Sequence, residues 1–357
     1  MFKRLSTGMM LNVNKRALKW AIPILIACSL YSCGESDDTP DVSDVKITLS
    51  TRRLDQDMAQ LDTNNLAAGL QQLQGKYPDF LSFYLDTLIG LGTNGNYSDT
   101  NIAIQNGLRS YLTHKDYRGV FDTVAKHYPD TKKLDAELEK AFRYMKHYYP
   151  DYHVPKVVYL ISWLNNWGAF TYDSTIVGIG LDMFLGENYP FYQAVGIPQY
   201  WSEQLKSEYI PVAVFKAIYR DKQPFAMEGK NLLDMMIQRG KEMYFLDHML
   251  PEAEKHTKLA YTKKQLEWCE ANEALIYNFF VAQNFLYETN WQKILRYVNE
   301  GPNSAGLPES PGNVGTWLGW QIVKAYAAQN PKMTLEQIIN DKQEAQQFLL
   351  LSKYKPK

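Results

Sequence analysis

"VPKVVYLISW" (154–163) and "STIVGIGLDMFLG" (174–186) decide the fold of this 357-residue chain. Both are short and rich in β-branched residues, and Pro, Gly, Asp and Ser bound them, so they read as two strands. "LNNWGAFTYD" (164–173) reads as their connection. Working outward, everything after them has helical periodicity: 206–220, 229–249, 262–287, 290–300 and 315–329. From about Thr51 to Pro150 the pattern is helical as well. The expected fold is therefore mainly α (α+β), a helical body carrying a small sheet of two to four strands.

The helical boundaries have sequence marks. Tyr-Pro-Asp occurs at 77–79, 128–130 and 149–151. The residue before Pro is pushed out of the helical region and Asp after it can cap the next helix, so each tripeptide predicts a helix end. "DTKKLDAELEKAFRYMKHYYP" (130–150) predicts a strong helix, capped by Asp130 or Thr131, with Leu134, Leu138, Ala141, Phe142 and Met145 on one face. "GPNSAGLPESPGNVG" (301–315), rich in Pro and Gly, predicts the longest and most mobile loop.

The N-terminus predicts export. Lys3, Arg4, Lys15, Arg16 and Lys19 precede the apolar run "WAIPILIACSLYSC" (20–33), which is too short for a stable bilayer span and reads as a signal-peptide core. "LIAC" and "LYSC" both resemble a lipobox, in which the cysteine is lipidated and becomes the first mature residue. Cys33 is preferred because it leaves the fuller apolar run and is followed by the acidic "GESDDTPDVSD"; Cys28 stays as the alternative. The expected organisation is a signal peptide over 1–32 and an acidic tether over 33–48. A helical region over 49–150 would then pack as one globular unit with an α+β region over 151–357.

Residues 1–32 carry five basic and no acidic side chains, so their removal takes the formal net charge from −1 to −6. A mildly acidic chain without a basic stripe excludes nucleic acid as an expected partner. The remaining cysteine, Cys269, has no intrachain partner if Cys33 carries lipid, and no cysteine spacing suggests zinc.

Several segments together resemble the gliding-motility lipoprotein B family, GldB, of the Bacteroidota. They are "LQGKYPDFLSFYL" (73–85), "GIGLDMFLGENYPFY" (178–192), residues 232–280, "FLYETN" (285–290) and "SPGNVGTWLGWQIVKAY" (310–326), together with the lipobox. The resemblance implies a lipid-anchored (palmitate-bearing) envelope lipoprotein connected with gliding and type IX secretion, with protein partners in the envelope and no small-molecule cofactor. The order of elements is also similar to zinc peptidases with His-Glu-x-x-His after a strand pair. There, histidines at i and i+4 share a helix face, bind zinc, and the Glu acts as general base. The corresponding "EYIPVAVFKAIYR" (208–220) has no His and only Glu208 as a carboxylate. The expectation is a degenerate zincin-like scaffold without catalysis, a pseudo-peptidase. "RGKEMYFLD" (239–247), with Lys241 and Tyr244, and "GTWLGWQIVKAY" (315–326) would frame the vacated site.

The remaining acidic, histidine and tryptophan clusters have packing readings beside chemical ones. Asp247, His248, Glu252 and His256 could hold a metal only if folded back past Pro251, so a solvated connection is the favoured reading. Glu267, Glu270 and Glu273 repeat every three residues, and Glu273 is expected to hydrogen-bond in the core and order its helix against the strands. Trp317 and Trp320 are expected to fill the core, with Trp317 as the one that could face outward. The first alternative function is an atypical hydrolase working at a strand edge near 176–182 with Glu208, Asp234 or Glu273. The second is a peptide- or carbohydrate-binding lipoprotein using Trp163, Trp167, Trp201, Trp317 and surface Tyr.

Overall fold

The computed structural model describes residues 39–165 and 168–357. Cys28, Cys33 and Trp167 therefore lie outside the described residues, as do the signal peptide and the first residues of the tether. Residues Asp41–Lys357 form one compact unit.

The sheet has four strands: β1 (Thr51–Arg53), β2 (Lys156–Leu160), β3 (Ala169–Tyr172) and β4 (Ile176–Gly180). Their order is β1-β2-β4-β3. β1 runs parallel to β2, β2 parallel to β4, and β3 antiparallel to β4. The two strands expected from sequence are thus adjacent and parallel. Their connection is not a plain loop, since it contains β3, which returns to pair with β4. β1 falls in a stretch whose sequence pattern predicts helix, and only its pairing with Val157–Tyr159, about a hundred residues on, makes it a strand. β2 and β4 are buried almost throughout, which is why they read as continuous apolar runs.

The helices of eight or more residues among the described residues are α1 (Leu66–Lys76), α2 (Lys115–His127), α3 (Lys132–Tyr148), α4 (Ile210–Lys222), α5 (Leu232–Met249), α6 (Lys263–Ala271), α7 (Glu273–Ala282), α8 (Trp291–Val298), α9 (Val314–Gln329) and α10 (Ala345–Ser352). Tyr77, Tyr128 and Tyr149 each form the C-terminal cap of α1, α2 and α3, as their Pro-Asp sequels predict. Asp130 accepts from the Lys132 backbone N–H at 3.1 Å to open α3, whose predicted apolar face is buried. The single helix expected over 262–287 is broken. It ends at Asn272 and resumes as α7, because the Asn272 side chain donates back to the Trp268 carbonyl at 2.8 Å.

α5 and α9 make the most extensive helix–helix contact, crossing at two glycines. A Cβ on Gly319 would sit 2.5 Å from the Met236 carbonyl carbon, and one on Gly240 would sit 2.8 Å from the Trp320 nitrogen. Only hydrogen at these positions lets the two backbones touch. Trp317 and Trp320 fill the space beside the crossing and are fully buried, so Trp317 does not face outward.

The 301–315 loop is held, contrary to expectation. Ser304 donates to the Pro311 carbonyl at 2.9 Å, Ser310 to the Leu307 carbonyl at 2.8 Å, and Tyr261 to the Gly312 carbonyl at 2.7 Å. Gly312 lies against the Gly301 backbone too closely for any side chain. A loop whose buried serine hydroxyls are hydrogen-bonded and whose Gly312 packs on backbone is held in place despite its composition.

Candidate functional site

Three helices meet where the sequence placed the vacated metal helix. α4 packs on β3, α3 and α5, and α5 crosses α9. The apolar face of α4, from Ile210 through Val214 and Phe215 to Ile218, is buried, with Pro211 accommodated in the first turn. What α4 presents at its open end is a pair of cations four residues apart, Lys216 and Arg220. They line a cavity of about 310 Å³ together with Arg239 and Glu242 of α5 and Asn313 and Thr316 at the start of α9.

The charges in this cavity are arranged around Glu242. Its carboxylate is almost completely buried and lies between two guanidiniums: Arg220 Nη2 is 2.9 Å from one oxygen and Arg239 Nη1 is 3.0 Å from the other. A buried carboxylate needs such partners to stay ionised. Part of the Lys216 side chain reaches solvent, yet its ammonium lies in a densely packed surround. That burial holds it below the usual lysine range, opposed by Glu300 and Glu242 and reinforced by Arg220 and Arg239. The three cations outnumber the two carboxylates.

The structure distributes the sequence-nominated residues differently. Lys241 is buried on the other side of α5. It donates to the Asp341 carbonyl at 2.6 Å, its ammonium lies 5.2 Å from the Phe348 ring centre, and burial lowers its pKa to about 8. Tyr244 stacks edge-on with His248 at 4.5 Å, and burial raises its hydroxyl pKa. His248 bonds its own helix at the Tyr244 carbonyl, while Asp247 accepts from Trp320 Nε1 at 2.7 Å and from Lys258 at 2.9 Å. Among the described residues no group of three or more His, Cys, Asp or Glu converges in a way that could hold a metal ion.

Glu273 does hydrogen-bond in the core, but to Tyr354 at 2.6 Å and not toward the strands. Its bond ties α7 to the chain's C-terminal tail. Glu267 and Glu270 are exposed. Asp234 closes a capping box with Asn231 at the start of α5. Glu208 is exposed beside a larger cavity of about 570 Å³ between α3 and residues 249–253. The three carboxylates considered for a hydrolase thus serve three separate places. Strand residues 176–180 are no edge either, because β4 lies between β2 and β3. Of the tryptophans considered for a binding face, Trp317 is buried, and Trp163 and Trp201 are half-buried.

Asp182 escaped the sequence reading. It follows β4 and is wholly enclosed, accepting from the backbone N–H groups of Ser162 and Leu164 at 2.7 Å each and from the Ser162 hydroxyl at 3.2 Å. These bonds hold a turn in which Trp163 and Leu164 both have positive φ, 60° and 57°. Burial raises the Asp182 pKa to about 6 against the pull of those bonds. A carboxylate at the C-terminal ends of parallel strands has the position of many functional groups, but here the backbone turn consumes its acceptors. Cys269 is likewise inert, its thiol pushed up to about 12 by burial.

The architecture is a mixed four-stranded sheet in a helical body, with a charged cavity at the junction of α4, α5 and α9. The sequence profile of the gliding motility protein GldB family matches residues 35–356, nearly all of the chain. The chain belongs to that family. No curated protein matches it, and no solved structure does. No helix of the described residues is long and apolar enough to cross a membrane.

Proposed function

We propose that this chain is a lipid-anchored cell-envelope protein of the gliding-motility and type IX secretion apparatus that works by contact with other envelope proteins. In this reading its body is a zincin-like scaffold without catalysis. Family membership supports the setting, and the lipobox cysteines, Cys33 or alternatively Cys28, supply the anchor. The single observation that favours a scaffold over an enzyme is the employment of its acidic groups. Asp182 is spent on a backbone turn, Asp247 on Trp320 and Lys258, Asp234 on the Asn231 backbone N–H of a helix cap, Glu273 on Tyr354 and Glu242 on two arginines. A general acid or base needs a proton-exchanging position open to substrate, and these five carboxylates are tied into the fold.

The test is proteolysis by the purified 34–357 fragment, with zinc content measured on the same sample. The expected result is no chelator-sensitive cleavage of casein or a peptide library and no stoichiometric zinc. Cleavage that a chelator abolishes, with near-unit zinc, would overturn the scaffold reading. The anchor is tested separately with a clickable palmitate analogue in cells: label should vanish in Cys33→Ser and persist in Cys28→Ser.

A further inference from the structure

We propose that the cavity between α4, α5 and the first turn of α9 is a binding site for a small molecule carrying a phosphate or carboxylate group. The chain supplies every element that oxyanion recognition uses. Lys216 and Arg220 project from one face of α4 at i and i+4, and Arg239 joins them from α5. Among the described residues no hydrogen bond or ion pair holds the Lys216 ammonium. Arg220 is 57% exposed and uses one edge of its guanidinium on Glu242, which leaves donors for a ligand.

A second observation is independent of those cations. Asn313 and Thr316 are buried, at 8% and 5% exposure, and both line the cavity. The Asn313 side-chain oxygen and the Thr316 hydroxyl have no hydrogen-bond partner among the described residues, and Glu242 Oε1 faces Arg220 as an ion pair without a hydrogen bond. Buried polar atoms without partners are uncommon and call for an explanation. A ligand in the cavity provides one: its oxyanion accepts from Thr316, and a hydroxyl or amide beside the oxyanion donates to Asn313. The same two residues open α9, a sixteen-residue helix whose N-cap, Asn313, sits at φ 60° and makes no side-chain cap bond. The first-turn N–H groups of such a helix favour an anion.

The local backbone is shaped for this approach. A side chain at Gly315 would sit 2.8 Å from the Tyr297 carbonyl oxygen, so glycine is what allows the first turn of α9 to seat against α8 beside the cavity. The Gly240–Gly319 crossing then brings Arg239 and Glu242 of α5 level with Thr316. The volume, about 310 Å³, admits a phosphate or carboxylate on a body of a few carbons. The site does not depend on how the protein acts in the envelope, so a scaffold or an enzyme could carry it.

The experiment is calorimetric titration of the 34–357 protein at low salt with inorganic phosphate, glycerol phosphate and lactate, each repeated at higher salt. Nuclear magnetic resonance of the backbone N–H signals runs in parallel. At least one probe should bind, with the shifts concentrated at 313–316, and affinity should fall as salt rises. Glycerol phosphate binding more tightly than inorganic phosphate would assign the hydroxyl to Asn313, and lactate as the best probe would assign a carboxylate ligand. Lys216→Met and Thr316→Val should each weaken binding by roughly tenfold or more, as the loss of a hydrogen bond to a charged group does. Exposed Arg220→Gln, which leaves Glu242 paired to Arg239, guards against a folding defect in the buried variants and should also weaken binding. Lys140→Met, at the other cavity, should leave affinity unchanged. Absence of binding by all three probes at about tenfold above a millimolar dissociation constant would overturn the proposal. So would binding that Lys216→Met and Arg220→Gln leave intact.

Discussion

Replacing Gly319 by alanine should be among the most damaging single-methyl additions in the protein. The new Cβ would fall 2.5 Å from the carbonyl carbon of Met236 and closer still to its oxygen. Ordinary carbon–carbon contact is about 3.5–4.0 Å, so the two backbones must part by roughly 1 Å or more. Neither backbone can turn aside as a flexible side chain would. Moving α9 off α5 opens a gap along the whole crossing, where Trp317 and Trp320 are fully buried. Overpacking of this kind costs about 1–3 kcal/mol, and a gap of that width forfeits about a quarter to a half of each contact beside it. Alanine returns about 1 kcal/mol as the better helix former. With the overpacking cost at the top of its range because both contacts are backbone, the balance is a loss of about 2 kcal/mol.

The assay is urea unfolding of the 34–357 protein beside Gly75→Ala. Gly75 lies in α1, and a Cβ there meets nothing within 4 Å. That substitution should therefore stabilise by about 0.5–1 kcal/mol. Opposite signs for the same chemical change isolate the contact from helix propensity. If Gly319→Ala were as stable as the parent, or moved with Gly75→Ala, the helices would not meet at these backbones and the argument for the crossing would fail. Because the crossing also sets α5 beside Thr316, Gly319→Ala should weaken anion binding as well.

Three further outcomes are expected. Lys241, with its pKa lowered to about 8 by burial, binds fewer protons folded than unfolded between pH 8 and the usual lysine value of about 10.4, so stability should rise with pH in that window. The gain over Lys241→Met, in urea unfolding between pH 7 and 9.5, should be about 2 kcal/mol; parallel profiles would refute it. Asp182, raised to about 6, runs the other way: its contribution is complete below about pH 4 and is lost as pH rises through 6. Even so, Asp182→Ala should cost about 3–5 kcal/mol at neutral pH, since it strands the N–H groups of Ser162 and Leu164 in the interior, and a loss under 1 kcal/mol would show that the turn holds itself. Tyr354→Phe should cost about 2 kcal/mol by leaving the Glu273 carboxylate short of its partner, whereas Glu273→Gln, which keeps an acceptor, should cost clearly less by thermal unfolding.

Periodicity made α3, α5 and α9 legible because each repeats its apolar side chains over several turns. The tyrosine caps were legible because Pro fixes the geometry of the residue before it. β1 was not, since three residues carry no alternation and their strand character comes from Val157–Tyr159 far along the chain. β3 was hidden in a segment whose Asn and Gly read as a turn. Of the site, Lys216 and Arg220 could be placed on one helix face from spacing alone. Asn313 and Thr316, about a hundred residues later, could not be placed beside them. Asp182 left no mark because its partners are backbone N–H groups, which every residue has. The order of the 301–315 loop was equally invisible, for Ser hydroxyls bonding carbonyls leave no pattern in composition.

The charges on α4 reverse the logic that first drew attention to it. A helix with histidines at i and i+4 offers two neutral donors to a dication, and the paired spacing is what lets one ion touch both. α4 keeps the i and i+4 spacing in Lys216 and Arg220 but offers positive charge, and Arg239 adds more from α5. A divalent cation brought to this face would meet three like charges at short range, and desolvation by the surrounding helices strengthens that repulsion. Glu242 and Glu300 relieve it only in part, because two carboxylates face three cations and both oxygens of Glu242 already lie within ion-pair distance of guanidiniums. The same geometry that disfavours a metal favours an oxyanion, since Lys216 then gains a partner and Thr316 gains an acceptor. Such a face would bind an anion and not a metal-activated water, as the proposed scaffold reading requires.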